Sequence, residues 1–352
     1  MAFTASAIQV AQEKLESIFA SPNTTKTEFL QPAEAARALL MRQTSNTTPL
    51  KRGDKIYGTE VWFYSPAAAV IDVGDAPADC DVPTGTVGQT QKVTFNDDIL
   101  TRAGARAQSN RSTNLMDFAD EIAQQTAHMM AVMRKDLNRN VIIPGIAAAS
   151  QVNLDTLAPA GWDYTTNSPR FTVPDSAFTW TNINEFRIIA ENNNFGDFFF
   201  VSGRLMNDDA WLATLNKMNE GERAAYLAYN QGSNFPYFDT RDLDQAMTRK
   251  TLFAIDSNSF IFWNNIRSSS TPTEVDTNVW IWTVADPILR WNDNGTLRPV
   301  MYEMEMKKTC ASRDSLEFRS DTYDLYGRLI GGFEFAPTGP NNEKGVLQFS
   351  NE

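Results

Sequence analysis

The sequence predicts an α+β fold, because its helices and strands follow one another in blocks and not in strict alternation. A long amphipathic helix is indicated within residues 113–145, and strongly hydrophobic strands are indicated between residues 197 and 286. An alternating β-ribbon is indicated from residue 297 to 337. With 352 residues, 42% of them hydrophobic, the chain is long enough to bury more than one core.

The long helix, named the spine helix below, is predicted from apolar residues spaced three and four positions apart. Its apolar face consists of Leu115, Phe118, Ile122, Met129, Met133 and Leu137. Asn114 occupies the N-cap position, and Pro144 with Gly145 is expected to end the helix. About 25 residues at roughly 1.5 Å each give a rod on the order of 35 to 40 Å long, which is expected to organise a larger domain.

The single histidine, His128, lies on the spine helix beside Met129 and Met130. One imidazole is enough for a Ser-His-Asp or Cys-His site. A packed or half-exposed neutral histidine is nevertheless the more common situation on such a helix. We therefore expect no catalytic role for His128.

Two short helices are predicted before the spine helix, at residues 5–20 and 33–42, with polar segments after each. Residues 55–64 and 90–95 are rich in aromatic and branched side chains and predict a long two-stranded excursion. An isolated two-stranded ribbon is only marginally stable in water, so we expect this one to lie on another surface, often that of a neighbouring subunit.

A mixed region follows the spine helix, with helices predicted at 181–193 and from residue 205 into the 220s. Strands are predicted at DFFFVSG, TLFAID, SFIFWNN and NVWIWTVAD, between residues 197 and 286. Asn294-Gly295 indicates a tight turn. In the closing ribbon, one face carries Val300, Tyr302, Met304 and Met306. That face needs an apolar partner, and the spine helix is the expected one.

Composition excludes several classes of function. The formal net charge of -12 and the pI near 4.7 argue against non-specific nucleic-acid binding by the chain as a whole. The amino terminus lacks the pattern of a signal peptide, and no apolar run approaches the ~18 residues of a membrane span. Cys80 and Cys310 are too few for a disulfide framework or a zinc site, and we expect two buried thiols and not one disulfide.

Common catalytic motifs are missing from the sequence, among them GxxxxGK[ST], GxGxxG, GxSxG and HExxH. The 43 acidic residues make some carboxylate pair inevitable, so a carboxylate-based glycosidase stays open without specific support. Asp72, Asp75, Asp79 and Asp81 resemble a calcium loop in composition but not in order, which leaves weak divalent binding or a solvated acidic tip. We expect no cofactor and no dedicated metal site.

The order of these elements resembles the major capsid proteins of tailed bacteriophages, which have the Hong Kong 97-like fold. Residues 178–208 (FTWTNINEFRIIAENNNFGDFFFVSGRLMND) and 238–265 look like the helix, strands and loops of that family's axial domain. Residues 298–337 (RPVMYEMEMKKTCASRDSLEFRSDTYDLYGRLIGGFEFAP) are similar to the peripheral ribbon that ends such chains. The resemblance spans nearly the whole chain and rests on order and texture, since the family has no short diagnostic motif.

The resemblance implies a division into five parts. These are an N-terminal arm (1–50), an extended loop (51–112), a peripheral domain with the spine helix (113–145 and 297–337), an axial domain (146–296) and a C-terminal tail (338–352). It also implies a set of residues at the interfaces between subunits: Trp62, Phe63, Tyr64, Lys92, Arg134, Arg139, Tyr302, Met304 and Phe318.

The implied function is that of a structural subunit, not an enzyme, which assembles in the host bacterial cytoplasm into an icosahedral head around double-stranded DNA. The implied partners are copies of the chain in hexamers and pentamers, a separate scaffolding protein, a portal, a decoration protein in some relatives, and DNA through weak contacts, but no membrane. The chain begins at Met1, and we expect no scaffolding segment to be cut from it. Some relatives crosslink a loop lysine to a neighbour's asparagine, but the sequence indicates no partner asparagine for Lys92.

Two other classes stay open from the sequence. Another virion component, such as a tail or decoration protein, would share the structural role, although a tube subunit would be mostly β-sheet and would lack a spine helix. A carboxylate-based hydrolase would show a deep cleft with two facing acidic side chains.

Overall fold

The computed structural model describes residues 2–20, 33–44, 46–52, 55–65, 89–110, 115–149, 163–165, 170–173, 180–192, 195–203, 237–238, 242–247, 251–266, 268–313, 319–336 and 345–351. These residues form an α+β protein with several sheets and few helices, as the sequence predicts. The helices are α1 (Ala2–Ala20), α2 (Glu34–Arg42), α3 (Leu115–Asp136), α4 (Ile143–Ala149), α5 (Trp180–Asn192) and α6 (Asp242–Ala246). No helix in the described part is long and apolar enough to cross a membrane.

The first sheet, named the ribbon sheet, has three antiparallel strands in the order β1-β2-β3. They are β1 (Asn46–Arg52), β2 (Lys55–Ser65) and β3 (Gln89–Asn96). The strands β2 and β3 confirm the predicted excursion, but β1 makes the ribbon three-stranded and corrects the two-stranded expectation. Pro49 and polar neighbours conceal β1 in the sequence, since proline in a strand is confined to edge positions.

The second sheet, named the long-strand sheet, has the strand order β10-β14-β13-β12-β11, with β4 also paired to β14. Its strands are β4 (Asp98–Asn110), β10 (Phe260–Asn264), β11 (Thr273–Asp276), β12 (Val279–Asp293), β13 (Thr296–Arg313) and β14 (Arg319–Phe335). The hairpin of β12 and β13 turns through Asn294 (φ 50°) and Gly295 (φ 86°), which confirms the predicted tight turn.

The third sheet, named the short-strand sheet, has the order β5-β6-β15-β9-β7-β8. Its strands are β5 (Asp163–Thr165), β6 (Arg170–Val173), β7 (Phe198–Ser202), β8 (Tyr237–Phe238), β9 (Thr251–Asp256) and β15 (Val346–Asn351). Helix α5 packs on it through Phe186, which lies 4.2 Å from Phe349 between ring centroids. The helix predicted from residue 205 lies outside the described residues.

The spine helix continues beyond its predicted end. Helix α3 passes into a π-helical segment (Leu137–Ile142) and then into α4, so Pro144 and Gly145 lie inside the helix. Proline in a regular helix clashes with the carbonyl four residues earlier. The wider turn before Pro144, in which the Ile143 N–H donates to the Asn138 carbonyl, gives the ring room and explains why the helix does not stop.

The spine helix packs on the long-strand sheet, which confirms the predicted partnership. Val300, Tyr302, Met304 and Met306 of β13 are all fully buried, together with Met129 and Met133 of α3. Gly327 on β14 lies under this contact, and a Cβ there would lie 2.8 Å from Met133 Cε. The main hydrophobic core is therefore centred between this helix and this sheet.

Helices α1 and α2 form where they are predicted, but they belong to the core. The apolar face of α1 packs on the spine helix, with Ala7, Ile8, Ala11 and Leu15 buried. Lys14 Nζ pairs with Asp120 at 2.5 Å. In these two helices the expected arm is thus part of the subunit's own interior.

The sheets do not follow the boundaries expected from the sequence. Strands β10 and β12, within the expected axial range 146–296, belong to the long-strand sheet. Strand β4, within the expected loop 51–112, pairs with β14 over most of its length. Strand β15, within the expected tail 338–352, lies inside the short-strand sheet. Alternating hydrophobicity indicates a strand but not which strand it pairs with, so these memberships were not predictable.

Candidate assembly surfaces

Among the described residues, the ribbon sheet packs on the rest of the chain through a small apolar contact. Val61 is buried against Ile261 and Trp263 of β10, and Phe95 stacks on Trp263 at 5.4 Å between ring centroids. Asp97, directly after β3, accepts hydrogen bonds from Trp263 Nε1 (3.1 Å) and Asn265 Nδ2 (2.5 Å). The base of the ribbon is therefore fixed while the strands run on beyond it.

The described side chains of the ribbon are mostly exposed or half-buried. Among its described side chains, only Thr59 and Val61 are buried. Three-stranded sheets need one well-covered hydrophobic face to be stable in water. The rest of the chain therefore leaves most of the described surface of the ribbon uncovered.

Trp62, Phe63 and Tyr64 lie on β2, where Trp62 is directly opposite Lys92 in the ladder. The side chains of the three aromatic residues lie outside the described part. Lys92 is 47% exposed and its Nζ lies 2.8 Å from Glu60 Oε2 on the neighbouring strand. Of the expected interface residues, these four therefore lie on one segment of the ribbon.

Arg134 has a different place from the one expected. Its guanidinium is 1% exposed and forms two hydrogen bonds with Asp286, from Nε at 3.0 Å and from Nη2 at 3.1 Å. Asp286 also accepts hydrogen bonds from the backbone N–H groups of Ile288 and Leu289 and from the Tyr302 hydroxyl. The carboxylate is thus fully enclosed and fully partnered.

Tyr302 and Met304 are likewise fully buried beneath the spine helix. Burial raises the pKa of the Tyr302 hydroxyl well above its ordinary value of 10.0, and the charge of Asp286 raises it further. Arg134, Tyr302 and Met304 therefore join the spine helix to the long-strand sheet inside one subunit. The expectation that these three residues contact a neighbour is corrected, because none of them reaches the surface.

Arg139 lies on the π-helical segment and is 34% exposed. It forms an ion pair with Asp242 of α6 at 2.9 Å and bonds Gln245. The buried Asn138 donates to Asp242 (2.8 Å) and accepts from the Ala36 N–H (2.9 Å). This network joins the spine helix to α2 and α6, so Arg139 has a structural role at the surface of its own subunit.

The outer face of the long-strand sheet carries charges in cross-strand pairs. Arg328 on β14 bonds Glu303 on β13, and Arg106 on β4 bonds Asp324 on β14 at 2.9 Å. Tyr326 stands between these pairs and is 50% exposed. Charges that are paired within one sheet give little attraction to another chain.

Among the described residues, neither of two open cavities holds the two facing carboxylates that a glycosidase needs. The cavities, of about 290 and 390 Å³, are each lined by a single acidic residue, Asp293 in one and Glu16 in the other. Asp256 and Asp197 lie close enough to interact, but Asp256 accepts a hydrogen bond from the Asn258 N–H in a tight turn. No cluster of three or more potential metal ligands occurs among the described residues.

The remaining residues singled out in the sequence are the histidine, Phe318, the two cysteines and the acidic segment. His128 is exposed on the spine helix. Phe318, Cys80 and the acidic segment from Asp72 to Asp81 lie outside the described residues. Cys310 lies on β13, and its side chain is not described.

Sequence reasoning missed polar residues inside the protein that join separate helices and strands. The Gln43 side chain donates to the carbonyls of Phe262 (3.0 Å) and Asn292 (2.6 Å) and accepts from the Phe262 N–H (2.7 Å). In the same way, Asp286 joins β12 to the spine helix, and Asp97 joins the end of β3 to β10, through side-chain hydrogen bonds. In the sequence, each of these three residues is an isolated polar residue next to a hydrophobic run. Such residues are common in loops, so the pattern does not indicate a structural role.

Neither a protein-family model nor a curated protein matches the sequence. Several solved structures are similar to this chain. The capsid structure of cyanophage P-SCSP1u is 12% identical, with 89% of this chain and 87% of that chain covered and a TM-score of 0.39. A structure from Mycobacterium phage Bobi is 10% identical, with 95% and 96% covered and a TM-score of 0.39. The capsid of a native GTA particle is 10% identical, with 92% and 91% covered and a TM-score of 0.36.

Proposed function

We propose that the chain is a structural virion protein, the subunit from which the closed head of a tailed bacteriophage is built. The observation that carries the proposal is the ribbon sheet, which is fixed at its base by Val61, Phe95 and Asp97 and in which only Thr59 and Val61 are buried among the described side chains. A sheet of this kind is stabilised when its faces lie on another molecule. In a closed assembly every copy supplies such a surface to its neighbour, since one set of contacts repeats by symmetry.

The Hong Kong 97-like resemblance of the sequence supports a specific form of this proposal. The spine helix with the long-strand sheet corresponds to the peripheral domain, the short-strand sheet to the axial domain, and the ribbon sheet to the extended loop. Copies of the chain would form hexamers and pentamers of an icosahedral shell around double-stranded DNA. A separate scaffolding protein, a portal and a decoration protein are the further partners of this form.

The acidic character of the chain supports weak contact with packaged DNA. The net charge is -12, and each phosphate contact that a Lys or Arg makes adds salt-sensitive affinity. A wall with few such contacts holds DNA without binding it tightly. A strongly basic inner surface in an assembled shell would overturn this part of the proposal.

The experiment is light scattering with negative-stain microscopy on the purified chain, with and without its scaffolding protein. Closed shells, or rings of five and six copies, are expected. A chain that stays monomeric under both conditions would overturn the proposal and return attention to the carboxylates.

A shortened ribbon provides the matched variant. Phe63 and Gln91 are directly opposite in the ladder, so a two-residue Asn-Gly turn can replace residues 64–90 and leave the base of the ribbon intact. We expect this variant to unfold at the same temperature as the parent but to form no shells. Shells as abundant as the parent's would show that the distal ribbon is not an assembly surface.

A further inference from the structure

The edges of the three sheets differ in how they are protected. An edge strand presents a row of backbone donors and acceptors on which another strand can pair, and natural proteins block such edges with prolines, bulges, charges or very short strands. An edge without such a device is therefore a candidate for pairing with another chain.

The β1 edge of the ribbon sheet has two of these devices. Pro49 lies in the middle of the strand and has no N–H to donate. The ladder with β2 is interrupted between Leu50 and Lys51. A strand added to this edge would meet both a missing donor and a change of register.

The edges of the long-strand sheet are blocked in three ways. Strand β11 has four residues, all exposed, and a bulge at Val275. Strand β4 has the exposed Arg102, and its Gln108 N–H donates to the Glu121 carboxylate of the spine helix. On β10, the side chain of the buried Gln43 bonds both the N–H and the carbonyl of Phe262, as a neighbouring strand would.

The short-strand sheet ends in very short strands. At one edge β5 has three residues, and at the other β8 has two. Strands of this length give an incoming chain too few hydrogen bonds to hold it.

Strand β3 has the weakest protection of these edges. It has eight residues, its ladder with β2 runs from Gly58–Asn96 to Ser65–Gln89 without a bulge, and it contains no proline. It is the last strand of its sheet among the described residues. Its one charged side chain, Lys92, is neutralised by Glu60 on β2.

We propose that β3 pairs antiparallel with β3 of a second copy of this chain, around a two-fold axis, to form a continuous six-stranded sheet. The inference rests on the proposed function and names one of its contacts between copies. In a closed assembly the neighbour of each chain is a second copy of it. The other described strand edges of that copy are blocked, so its own β3 is the edge that it can offer to β3 of the first copy. Pairing of one surface with itself is what a two-fold contact requires.

Charge does not oppose this pairing. Two copies of β3 bring two lysines together, and like charges directly opposite on paired strands are destabilising. Each Lys92 is already paired with its own Glu60 at 2.8 Å, so the two strands meet as nearly neutral ladders.

Two adjacent proline variants, Val93→Pro and Thr94→Pro, test the pairing. Successive residues of a strand direct their N–H groups to opposite sides, so one variant removes a bond to β2 and the other removes a donor from the open edge. The edge-facing variant is the one whose unfolding temperature stays near the parent's. We expect it to weaken association at least tenfold, as measured by sedimentation and by the yield of shells. Thr47→Pro is the matched control, because it lies two residues from Pro49 on the blocked edge, and it should leave association unchanged.

A cysteine scan decides the matter if both proline variants fail to fold. In a chain with Cys80→Ser and Cys310→Ser, single cysteines are placed in turn at positions 89 to 96 and mildly oxidised in the assembled state. A disulfide requires Cα atoms about 4.4 to 6.8 Å apart, so dimers should form with one maximum, at the position nearest the axis. No crosslinked dimer at any position would overturn the pairing.

The two proposals fail in different ways. Shells that form from the edge-facing proline variant as readily as from the parent would overturn only the β3 pairing. A parent chain that stays monomeric with its scaffolding protein would overturn the proposed function as well.

Discussion

The long-strand sheet and the ribbon sheet are both built from antiparallel strands, yet they differ in how much apolar surface they bury inside the subunit. On β13, Val300, Tyr302, Met304 and Met306 are all fully buried beneath the spine helix. In the ribbon sheet, Val61 is the one fully buried apolar side chain among those described. The first sheet therefore forms the core of the protein, whereas most described side chains of the second stay in contact with water.

The same contrast holds for charge. The side chains of Arg134 and Asp286 are 1% and 0% exposed, and both oxygens of the carboxylate accept hydrogen bonds. Lys92 and Glu60 are 47% and 19% exposed, so water screens their attraction. One ion pair is thus part of the core, and the other lies on an open surface.

The largest effect is expected from Arg134→Met, which leaves the Asp286 carboxylate buried without its cation. Loss of one partner of a buried pair lowers the free energy of unfolding by about 3–5 kcal/mol. Arg106→Met is the control, since its pair with Asp324 is exposed and should change the same quantity by about 0–1 kcal/mol. Denaturant unfolding measures both, and equal losses in the two variants would break the comparison.

Gly331→Ala tests the joint between the two sheets. A Cβ at Gly331 would lie 1.9 Å from the Trp263 carbonyl oxygen, on the strand that anchors the ribbon. Overpacking of this kind lowers the free energy of unfolding by about 1–3 kcal/mol. Gly196→Ala is the control, because no atom lies within 4 Å of its added Cβ. The same midpoint of thermal unfolding for both variants would show that the contact between β10 and β14 accommodates the added methyl group without loss of stability.

The sequence predicted the spine helix, the buried face of β13 and the strands β2 and β3, because each has a long and regular hydrophobic period. It did not predict that β4 and β10 pair with β14, since partner choice depends on contacts between distant parts of the chain. Arg134 shows the same limit for the candidate site. A cation near the end of a helix looked like a surface residue, and only the fold places Asp286 opposite it.

A pH-dependent effect is expected at Asp256, the last residue of β9 in the short-strand sheet. Burial raises the pKa of its carboxyl above the ordinary 3.8, and the charge of Asp197 raises it further, against the hydrogen bonds from Asn258. A raised pKa in the folded state means that stability is fully present below pH 3.8 and is lost as the pH rises through the folded value.

Asp256→Asn removes this loss, and its side-chain oxygen can still accept from the Asn258 N–H. We expect the variant to equal the parent in stability near pH 3 and to exceed it at pH 7, by less than the effects above. Unfolding at several pH values tests this expectation. Parallel stability curves for the two proteins would show that the carboxyl titrates normally.

The smallest effect is expected from Lys92→Met, which removes the exposed ion pair of the ribbon. Exposed pairs contribute about 0–1 kcal/mol, so the free energy of unfolding should change by no more than that. A double-mutant cycle with Glu60→Gln isolates the coupling between the two side chains. A coupling above about 2 kcal/mol would be that of a buried pair, and the ribbon would then be held by its own subunit. A coupling near zero would show that this ion pair contributes almost nothing to the stability of the ribbon. If the shortened-ribbon variant also assembles more weakly than the parent, the ribbon is stabilised by contacts with neighbouring copies.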